Sequence, residues 1–556
     1  MANASALGAS RGRWGVFSLA LIAGAIAAPV HAQSIDSIFA AYTTRTPGCA
    51  VAAVDSTRTV VSQGFGMASL EHGLTITPTT AFYAASVSKQ FTAFAVALLA
   101  RQGKLALDDD VRKWLPEVPQ FGNTITVRHL IHHTSGLRDY FGLLGMTGWP
   151  SDGPITERQF LDLVGRQKAL NFEPGARHLY SNTGYVLLAI LVKRVSGQSL
   201  REFADAHIFA PLGMTNSQFR DDHTMLIRNR ALAYGSPRSG EWRLNVPGFD
   251  VVGDGGLYTT VEDLARWARN FDNRIVGDSA LATLTVTRGQ LNGGSVIPYA
   301  FGLVNNNFRG QPTIEHGGAY GGYRAHLMRF PRLHFTVVML CNAASANAAN
   351  LSQRVATALL GERLPAVSPV TSSTAPAEPV VSLTRQQVAP FAGPYWSAGT
   401  EQLRRLELRD SVLSLAGGAA LMPLADQRFR SLAGVTYVFS RQAKGVVQLE
   451  ETLPSGERIT YTRMLLAKTD TATLASYTGD YYSDEIAHTW RIEAKNGRLQ
   501  LSVRGSGEIV LDPVFADAFQ SPAGVLRFQR AANGRITGFI VGAGRVTGFR
   551  FVRTDG

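Results

Sequence analysis

The C-terminal third of the chain contains the same strand-rich unit twice, and this repetition constrains the fold more than any other feature. Phe391-Ala-Gly-Pro-Tyr395 recurs as Tyr477-Thr-Gly-Asp-Tyr481. The offset stays at ~86–90 residues, which is the length of a small domain rather than of a solenoid repeat. Further landmarks recur in the same order: Leu413-Ser-Leu415 as Leu499-Gln-Leu501, Pro423 as Pro513, Phe429 as Phe519, and Gly445 as Gly534.

Alternating apolar and polar residues with Gly and Asn-Gly turns are typical of antiparallel strands. We therefore predict two small antiparallel β-barrels, over residues 383–467 and 471–556. A single continuous β-domain is the alternative, and the ordered landmarks argue against it. The segment 363–382, with four prolines among Ser, Thr, Ala and Val, is predicted to be an extended linker before the first barrel.

Residues 33–362 mix helical and strand patterns. Val51 to Gly66 indicates two strands, and strands return at residues 323–330 and 335–341. An apolar helix is predicted from Val87 to Arg101, and others begin near the candidate N-caps Thr126 and Thr259. This order predicts an α+β domain, with a sheet built from the chain ends and helices between them.

Composition and charge exclude several functions. The 556 residues are 45% hydrophobic and 17% charged, which is enough apolar material for packed cores. The net charge is +12, but the basic residues are spread along the chain, so no nucleic-acid partner is predicted.

The N-terminus has the pattern of an export signal. Arg11 and Arg13 precede an apolar run from Val16 to Val30, and Val30-His31-Ala32 fits a cleavage site. We therefore interpret residues 1–32 as a signal peptide of a periplasmic or secreted protein. An uncleaved anchor is the alternative. No later run is long enough to span a membrane, so none is predicted in the mature chain.

Ser86-Val87-Ser88-Lys89 is the first of three short strings that suggest acyl transfer. A serine hydroxyl needs a nearby base to act as a nucleophile. Lys89 lies three residues after Ser86, on the same helical face, where a partly desolvated amine can handle its proton. A serine at a helix N-terminus also has free backbone N–H groups beside it, which can bind an oxyanion. An ordinary N-cap is the alternative for Ser86.

The other two strings add groups that such a site needs. Tyr180-Ser181-Asn182 supplies a phenol, whose phenolate beside an ammonium can take the serine proton, and an amide that can bind a substrate carbonyl. His316-Gly317-Gly318 opens a strand edge, because glycines let a substrate backbone lie against the strand. The N–H of Ala319 is a candidate oxyanion donor. Alone, each string is also compatible with a turn or an ordinary strand.

Together these strings resemble the penicillin-recognising serine hydrolases, the family of class C β-lactamases and DD-peptidases, whose pattern is S-x-x-K, Y-x-N and K-T-G or H-x-G. The flanking strings match as well: Ala85-Ser-Val-Ser-Lys-Gln-Phe-Thr92, His133-Thr-Ser-Gly-Leu137, Phe172-Glu-Pro-Gly175 and Gly253-Asp-Gly-Gly256. The resemblance covers about residues 36–360 and implies a β-lactamase/transpeptidase-like catalytic domain. It makes Ser86 the acylated nucleophile, Lys89 and Tyr180 the proton-handling pair, and Asn182 a substrate-binding residue.

His316, together with two C-terminal lipocalin-like barrels, is most similar to the D-aminopeptidase branch of that family. The resemblance implies a hydrolase of amides, peptides or esters that contain D-amino acids, whereas the export signal is a departure from that branch. A neutral imidazole at His316 attracts a carboxylate less than the lysine of penicillin-binding relatives. D-aminopeptidases also insert a loop of the last barrel into the site, but the matching stretch around Gly505 is shorter here.

The alternatives are a β-lactamase or DD-peptidase acting on peptidoglycan peptides, an esterase of the same family, and a non-catalytic β-lactam or muropeptide sensor. A small molecule or a peptide, including one derived from peptidoglycan, is the expected partner. The oligomeric state stays open.

No cofactor is expected. The histidines do not place three metal ligands on one helical face, so a metal is not predicted: His129, His132, His133 and His178. Asp484 and Glu485 are candidates for binding a substrate ammonium, and a solvated loop is the favoured alternative.

Cys49 and Cys341 lie in strand-like strings, and their residues alone favour two buried free thiols slightly. The sheet of the resembled family places its first and last strands side by side and antiparallel. The resemblance therefore implies that the two Cα atoms lie within roughly 7 Å, the limit for a disulfide.

Overall fold

A computed structural model describes residues 34–554, except 151–152, 236–239, 366–379, 419, 426, 433, 443–444, 454–455, 468–469, 504 and 506. The proposed signal peptide and most of the proposed linker lie outside the described residues. None of the helices in the described part is long and apolar enough to span a membrane.

The N-terminal domain contains long and short strands, and most of them form one sheet. Its strands are β1 (Cys49–Asp55), β2 (Thr59–Phe65), β3 (Met67–Ser69), β4 (Leu74–Thr75), β5 (Phe82–Tyr83), β6 (Gln218–Phe219), β7 (Leu257–Thr259), β8 (Val304–Phe308), β9 (Gln311–Tyr320), β10 (Tyr323–Phe330) and β11 (Phe335–Cys341). Six of them form an antiparallel sheet in the order β2-β1-β11-β10-β9-β8. Strands from the two ends of this domain thus meet in one sheet, as predicted, and β10 and β11 have the predicted bounds.

The helices of this domain come from its two ends as well as from its middle. They are α1 (Ile35–Phe39), α2 (Lys89–Arg101), α3 (Val127–Ile131), α4 (Tyr140–Thr147), α5 (Glu157–Gly165), α6 (Asn182–Ser196), α7 (Leu200–Ala204), α8 (Ala210–Leu212), α9 (Val261–Asn273), α10 (Ser279–Val286) and α11 (Ala348–Leu360). Thr126 caps α3, as predicted, by accepting from the N–H of His129. The cap of α9 is Thr260 rather than the predicted Thr259, and it accepts from the N–H of Asp263 at 3.1 Å.

The two cysteines form a disulfide bond. Cys49 and Cys341 are direct partners in the register of β1 and β11, and their Cα atoms are 4.0 Å apart. The slight preference for free thiols was wrong, because the tertiary pairing of two strands 292 residues apart decides it. The distance implied by the family resemblance is confirmed.

Two eight-stranded β units follow, each opened by a short helix, α12 (Arg385–Val388) or α13 (Thr471–Ala475). The first unit contains β12 (Gly393–Ser397), β13 (Gln402–Arg409), β14 (Val412–Leu415), β15 (Met422–Ala425), β16 (Arg428–Arg430), β17 (Thr436–Arg441), β18 (Val447–Thr452) and β19 (Arg458–Arg463). The second contains β20 (Gly479–Ser483), β21 (His488–Lys495), β22 (Arg498–Ser502), β23 (Ile509–Phe515), β24 (Ala518–Ser521), β25 (Gly524–Arg530), β26 (Ile536–Ala543) and β27 (Val546–Arg553).

The second unit is a closed barrel, whereas the ends of the first sheet meet, among the described residues, at an isolated bridge between Ser414 and Ala420. The sequence repeat is also a structural repeat. Tyr395 donates its hydroxyl to the carbonyl four residues before it, and Tyr481 does the same, at 3.0 and 2.8 Å. The predicted order, an α+β domain followed by two small β domains, is confirmed.

Candidate active site

Ser86 lies in a tight 3-10 turn, Ala85–Ser88, immediately before α2. The predicted helix start at Val87 was therefore two residues early, because α2 begins at Lys89. Ala85 has a left-handed φ of 47° at this turn. The spacing of three residues still brings the two side chains together, and Lys89 Nζ donates to Ser86 Oγ at 3.1 Å.

Lys89 is completely buried, and each of its three hydrogens has an acceptor. Besides Ser86 Oγ, Nζ donates to Asn182 Oδ1 at 2.9 Å and to the backbone oxygen of Asp254 at 2.7 Å. A buried ammonium is costly unless its donors are satisfied. The three contacts therefore fix the position of Nζ directly beside the serine.

Asp139 determines which way Asn182 points. Asp139 Oδ2 accepts from the backbone N–H of Asn182 at 2.7 Å and from its Nδ2 at 2.9 Å. Because the amide nitrogen is used in this way, its oxygen is the atom turned toward Lys89. The sequence reasoning missed Asp139, because nothing local shows that its carboxylate meets α6.

The Tyr180 ring packs against the His133 ring and lies near two cations. Its ring lies 4.1 Å from that of His133, measured between centroids. Lys89 Nζ is 4.9 Å from its ring centroid, and the Arg545 Cζ atom is 4.7 Å from it. His133 also accepts from the backbone N–H of Ser181 at 3.1 Å through Nδ1, so this buried histidine orients the segment that carries Tyr180.

The third string lies on β9 and closes the other side of the site. A Cβ atom on Gly318 would lie 2.3 Å from the carbonyl oxygen of Ala84, so only glycine lets the strand pack against the serine turn. His316 Nδ1 is 2.6 Å from the carbonyl oxygen of Gly317, and Tyr299 Oη is 3.1 Å from Nε2. Burial and the nearby Lys89 lower the pKa of His316 to about 3, so the imidazole is neutral at ordinary pH.

The predicted site residues meet at one cavity of about 840 Å³. Seven of the eight line it: Ser86, Tyr180, Asn182, His316, Gly317, Gly318 and Ala319. Lys89, the eighth, is buried next to Ser86 rather than on the wall. The structure thus brings a serine hydroxyl, an amine, a phenol and a strand edge together at this cavity, and these are groups that acyl transfer uses.

Arg545 is a wall residue that the sequence reasoning did not identify. It lies between β26 and β27 of the second barrel and lines the cavity beside Tyr180. Gly505, where the short loop was expected, lies instead near Gly148, whose oxygen would be 3.1 Å from an added Cβ. Only the docking of the barrel shows which of its turns reaches the site.

Asp484 and Glu485 do not line the cavity. Asp484 pairs with Lys168 at the surface. Glu485 forms an ion pair with Arg138 at 2.6 Å, with the two side chains 7% and 1% exposed. The favoured prediction of a solvated loop was therefore wrong for Glu485, because this part of the second barrel docks against the catalytic domain.

Two of the four histidines considered as metal ligands accept backbone hydrogen bonds. His129 accepts from the N–H of Thr126 through Nδ1, and His133 accepts from that of Ser181. In the part of the chain that the structure covers, one group brings three such ligand atoms within 4.8 Å, namely Asp222, His223 and Asp250. None of these three lines the cavity.

Asp254 provides a pH-dependent test of the buried wall. Burial raises its pKa from 3.8 to about 6, although Lys89 and the Tyr140 hydroxyl act in the opposite direction. Below pH 3.8 the carboxyl is neutral in both states, so the raised pKa has no cost there; stability is lost as pH rises through about 6. Two pKa units correspond to about 3 kcal/mol.

We therefore expect the unfolding free energy of Asp254→Asn, relative to that of the wild type, to increase by roughly 3 kcal/mol as the pH rises from about 4 to about 8. Asparagine keeps an acceptor for Tyr140. Urea unfolding of both proteins at the two pH values measures the effect, and a difference in unfolding free energy that does not change with pH would contradict it.

Comparison with known proteins agrees with this arrangement. A D-aminopeptidase from Gluconobacter oxydans (strain 621H) is 29% identical over 415 residues, covering 74% of this chain and 73% of the relative. Penicillin-binding protein 4* from Bacillus subtilis (strain 168) is 32% identical over 297 residues, covering 50% of this chain and 64% of the relative, slightly less than two thirds.

The structure of an octameric penicillin-binding protein homologue from Pyrococcus abyssi has the same fold. It aligns with a TM-score of 0.51 at 23% identity, over 82% of this chain and 94% of the homologue. The Beta-lactamase family profile matches residues 35–362, which contain Ser86, Tyr180 and the glycine-rich strand β9. Since this match covers more than half of the sequence, the chain belongs to the Beta-lactamase family, a family of serine hydrolases.

Proposed function

We propose that this protein hydrolyses amide or ester bonds of small D-amino-acid-containing substrates through an acyl-enzyme on Ser86. The contact that carries the proposal is the one between Lys89 Nζ and Ser86 Oγ, at 3.1 Å on the wall of the cavity. The 29% identical relative named D-aminopeptidase supports the choice of substrate.

The arrangement supports a division of roles. The phenolate of Tyr180 takes the proton of Ser86 as Oγ attacks the substrate carbonyl, and the resulting phenol delivers that proton to the leaving group as the scissile C–N or C–O bond breaks. Lys89, whose three hydrogens are all engaged, holds the serine oxygen and stabilises negative charge near the phenol. The N–H groups of Ser86 and Ala319 are the proposed oxyanion donors. Water then hydrolyses the acyl-enzyme ester on Ser86: Tyr180 takes a proton from the water and returns a proton to Ser86 Oγ.

Asn182 and β9 are proposed to bind the substrate. Asn182 is fixed by Asp139, and it lines the cavity beside Ser86. Gly317 is exposed on the strand edge, where a substrate backbone can lie against it. His316 is neutral and hydrogen-bonded to Tyr299, so we assign it a role in shaping this wall rather than in binding charge.

A panel of substrates tests the function. D-alanine and L-alanine p-nitroanilides, the matching p-nitrophenyl esters and nitrocefin are offered to the purified protein. Faster hydrolysis of D- than of L-anilide is expected, with an ester rate that is also D-selective. Rapid nitrocefin hydrolysis would favour the β-lactamase alternative, and the 32% identical penicillin-binding relative makes this alternative worth testing.

We also propose that the protein is exported and that residues 1–32 are removed. The disulfide between Cys49 and Cys341 supports this, because disulfides persist in oxidising compartments such as the periplasm. The mass of the mature protein tests it, and we expect a chain that begins at Gln33. A mature chain that keeps residues 1–32 would contradict cleavage.

A further inference from the structure

The turn between β26 and β27 is attached to the catalytic domain by its backbone. The carbonyl oxygen of Arg545 accepts from the N–H of Asp139 at 3.3 Å and from Asn171 Nδ2 at 2.9 Å. Asn171 Oδ1 in turn accepts from the N–H of Thr547 at 2.8 Å. Val546, between them, is fully buried. The position of the turn is therefore set by the catalytic domain itself.

A second anchor lies just beyond this turn. Arg138 donates to the carbonyl oxygens of Thr547 and Gly548, both at 3.1 Å, and forms the buried ion pair with Glu485. A buried guanidinium with several acceptors holds a rigid geometry. The backbone that carries Arg545 is thus fixed on both sides, and its side chain reaches the cavity from a fixed point.

The guanidinium of Arg545 keeps its hydrogen-bonding capacity. Its nearest charged partner is Asp139 Oδ2, at 3.7 Å, and that oxygen already accepts twice from Asn182. Among the residues that the structure covers, none accepts a hydrogen bond from this guanidinium. The side chain is 46% exposed and lies over the Tyr180 ring. A guanidinium on the cavity wall therefore has donors available, and its planar geometry suits a carboxylate.

The charge of the wall favours the same kind of ligand. The described charged residues that line the cavity are Arg324, Arg545 and Asp254. Asp254 is 7% exposed, and its carboxyl already accepts from the Tyr140 hydroxyl. A substrate α-ammonium thus meets two arginines and one enclosed carboxyl, whereas an anion meets two cations. This wall does not match a free amine, which an aminopeptidase must bind.

We propose that Arg545 is a specificity-determining residue, contributed by the second barrel, which binds a carboxylate of the substrate next to Ser86. The inference rests on the proposed acyl-enzyme function and narrows its substrates to D-amino-acid amides and peptides that carry a negative charge. The carboxylate can belong to the acyl side or to the leaving amino acid, and the two are distinguished by substrate design.

Two matched substrate sets test the inference. N-succinyl-, N-acetyl- and free D-alanine p-nitroanilide carry a negative charge, no charge and a positive charge, respectively, on the acyl side. N-acetyl-D-alanyl-D-alanine and its C-terminal amide differ only on the leaving side. We expect the wild type to favour the anionic member of at least one set by about 10- to 100-fold in kcat/KM, as a charge-assisted hydrogen bond implies.

Arg545→Met is expected to reduce that preference to within about 3-fold of unity, mostly by raising KM, while Arg545→Lys keeps part of it. Arg550→Met is the control, since Arg550 is an exposed arginine of the same barrel that does not line the cavity. An unchanged charge preference in Arg545→Met, or an equal loss for all substrates, overturns the inference. Absence of hydrolysis of every substrate by the wild type would instead refute the proposed function.

Discussion

Ser86→Ala is expected to lower kcat by at least about 10³-fold on any substrate that the wild type hydrolyses, because no other nucleophile takes its place. Ser86 Oγ is the hydroxyl that Lys89 contacts at 3.1 Å on the cavity wall. The variant should still fold, since Ser86 is only half-buried in the wild type and does not end a secondary structure element. The kinetics of the best p-nitroanilide, together with labelling by a fluorophosphonate probe, measure this effect.

Ser181→Ala is the matched control. Ser181 is buried near the same cavity, but its hydroxyl has no hydrogen-bond partner among the described residues. It should therefore keep its turnover and its labelling. If Ser86→Ala retained full activity, or if the probe still labelled it stoichiometrically, the acyl-enzyme proposal would be wrong. An unlabelled wild type without turnover would revive the sensor hypothesis.

Arg138→Met is expected to destabilise the protein by about 3–5 kcal/mol, because it leaves the Glu485 carboxylate buried without its cation. It also removes the donors to Thr547 and Gly548, so the turn that carries Arg545 should loosen. We therefore expect lower stability together with weaker selectivity for anionic substrates. Urea unfolding and limited proteolysis of the second barrel measure the structural part.

Adding Glu485→Gln to this variant should restore part of the loss, since glutamine keeps an acceptor for the N–H of Lys168 and carries no charge. Lys168→Met is the control. Its ion pair with Asp484 bridges the same two domains but is exposed, so removal should leave stability nearly unchanged. Equal effects of Arg138→Met and Lys168→Met would contradict the role given to the buried pair.

Much of the site could be predicted from the sequence because its key spacings are local. Ser86 and Lys89 are three residues apart, and one turn brings them together whether it is 3-10 or α. Tyr180 and Asn182 likewise flank the start of one helix. Asp139 was missed because its contact with Asn182 joins two segments that are 43 residues apart.

The barrels show the same division. Their repeat was visible because each copy keeps its own glycine and tyrosine landmarks, and these form equivalent bonds in both units. Their docking was not visible, because the ion pair of Arg138 with Glu485 depends on chain segments 347 residues apart. Glu485 was therefore misjudged as part of a solvated loop.

The sequence by itself determined the order of the α+β and β units, the proximity of Ser86 to Lys89 and the three strings, since these depend on neighbours along the chain. Only the tertiary structure decided the disulfide, the orientation of Asn182 and the arrival of Arg545 beside Tyr180. Each of these depends on long-range packing, whose geometry no local pattern records. Arg545 belongs to the last barrel, far along the chain from Ser86, and yet both residues line the same cavity.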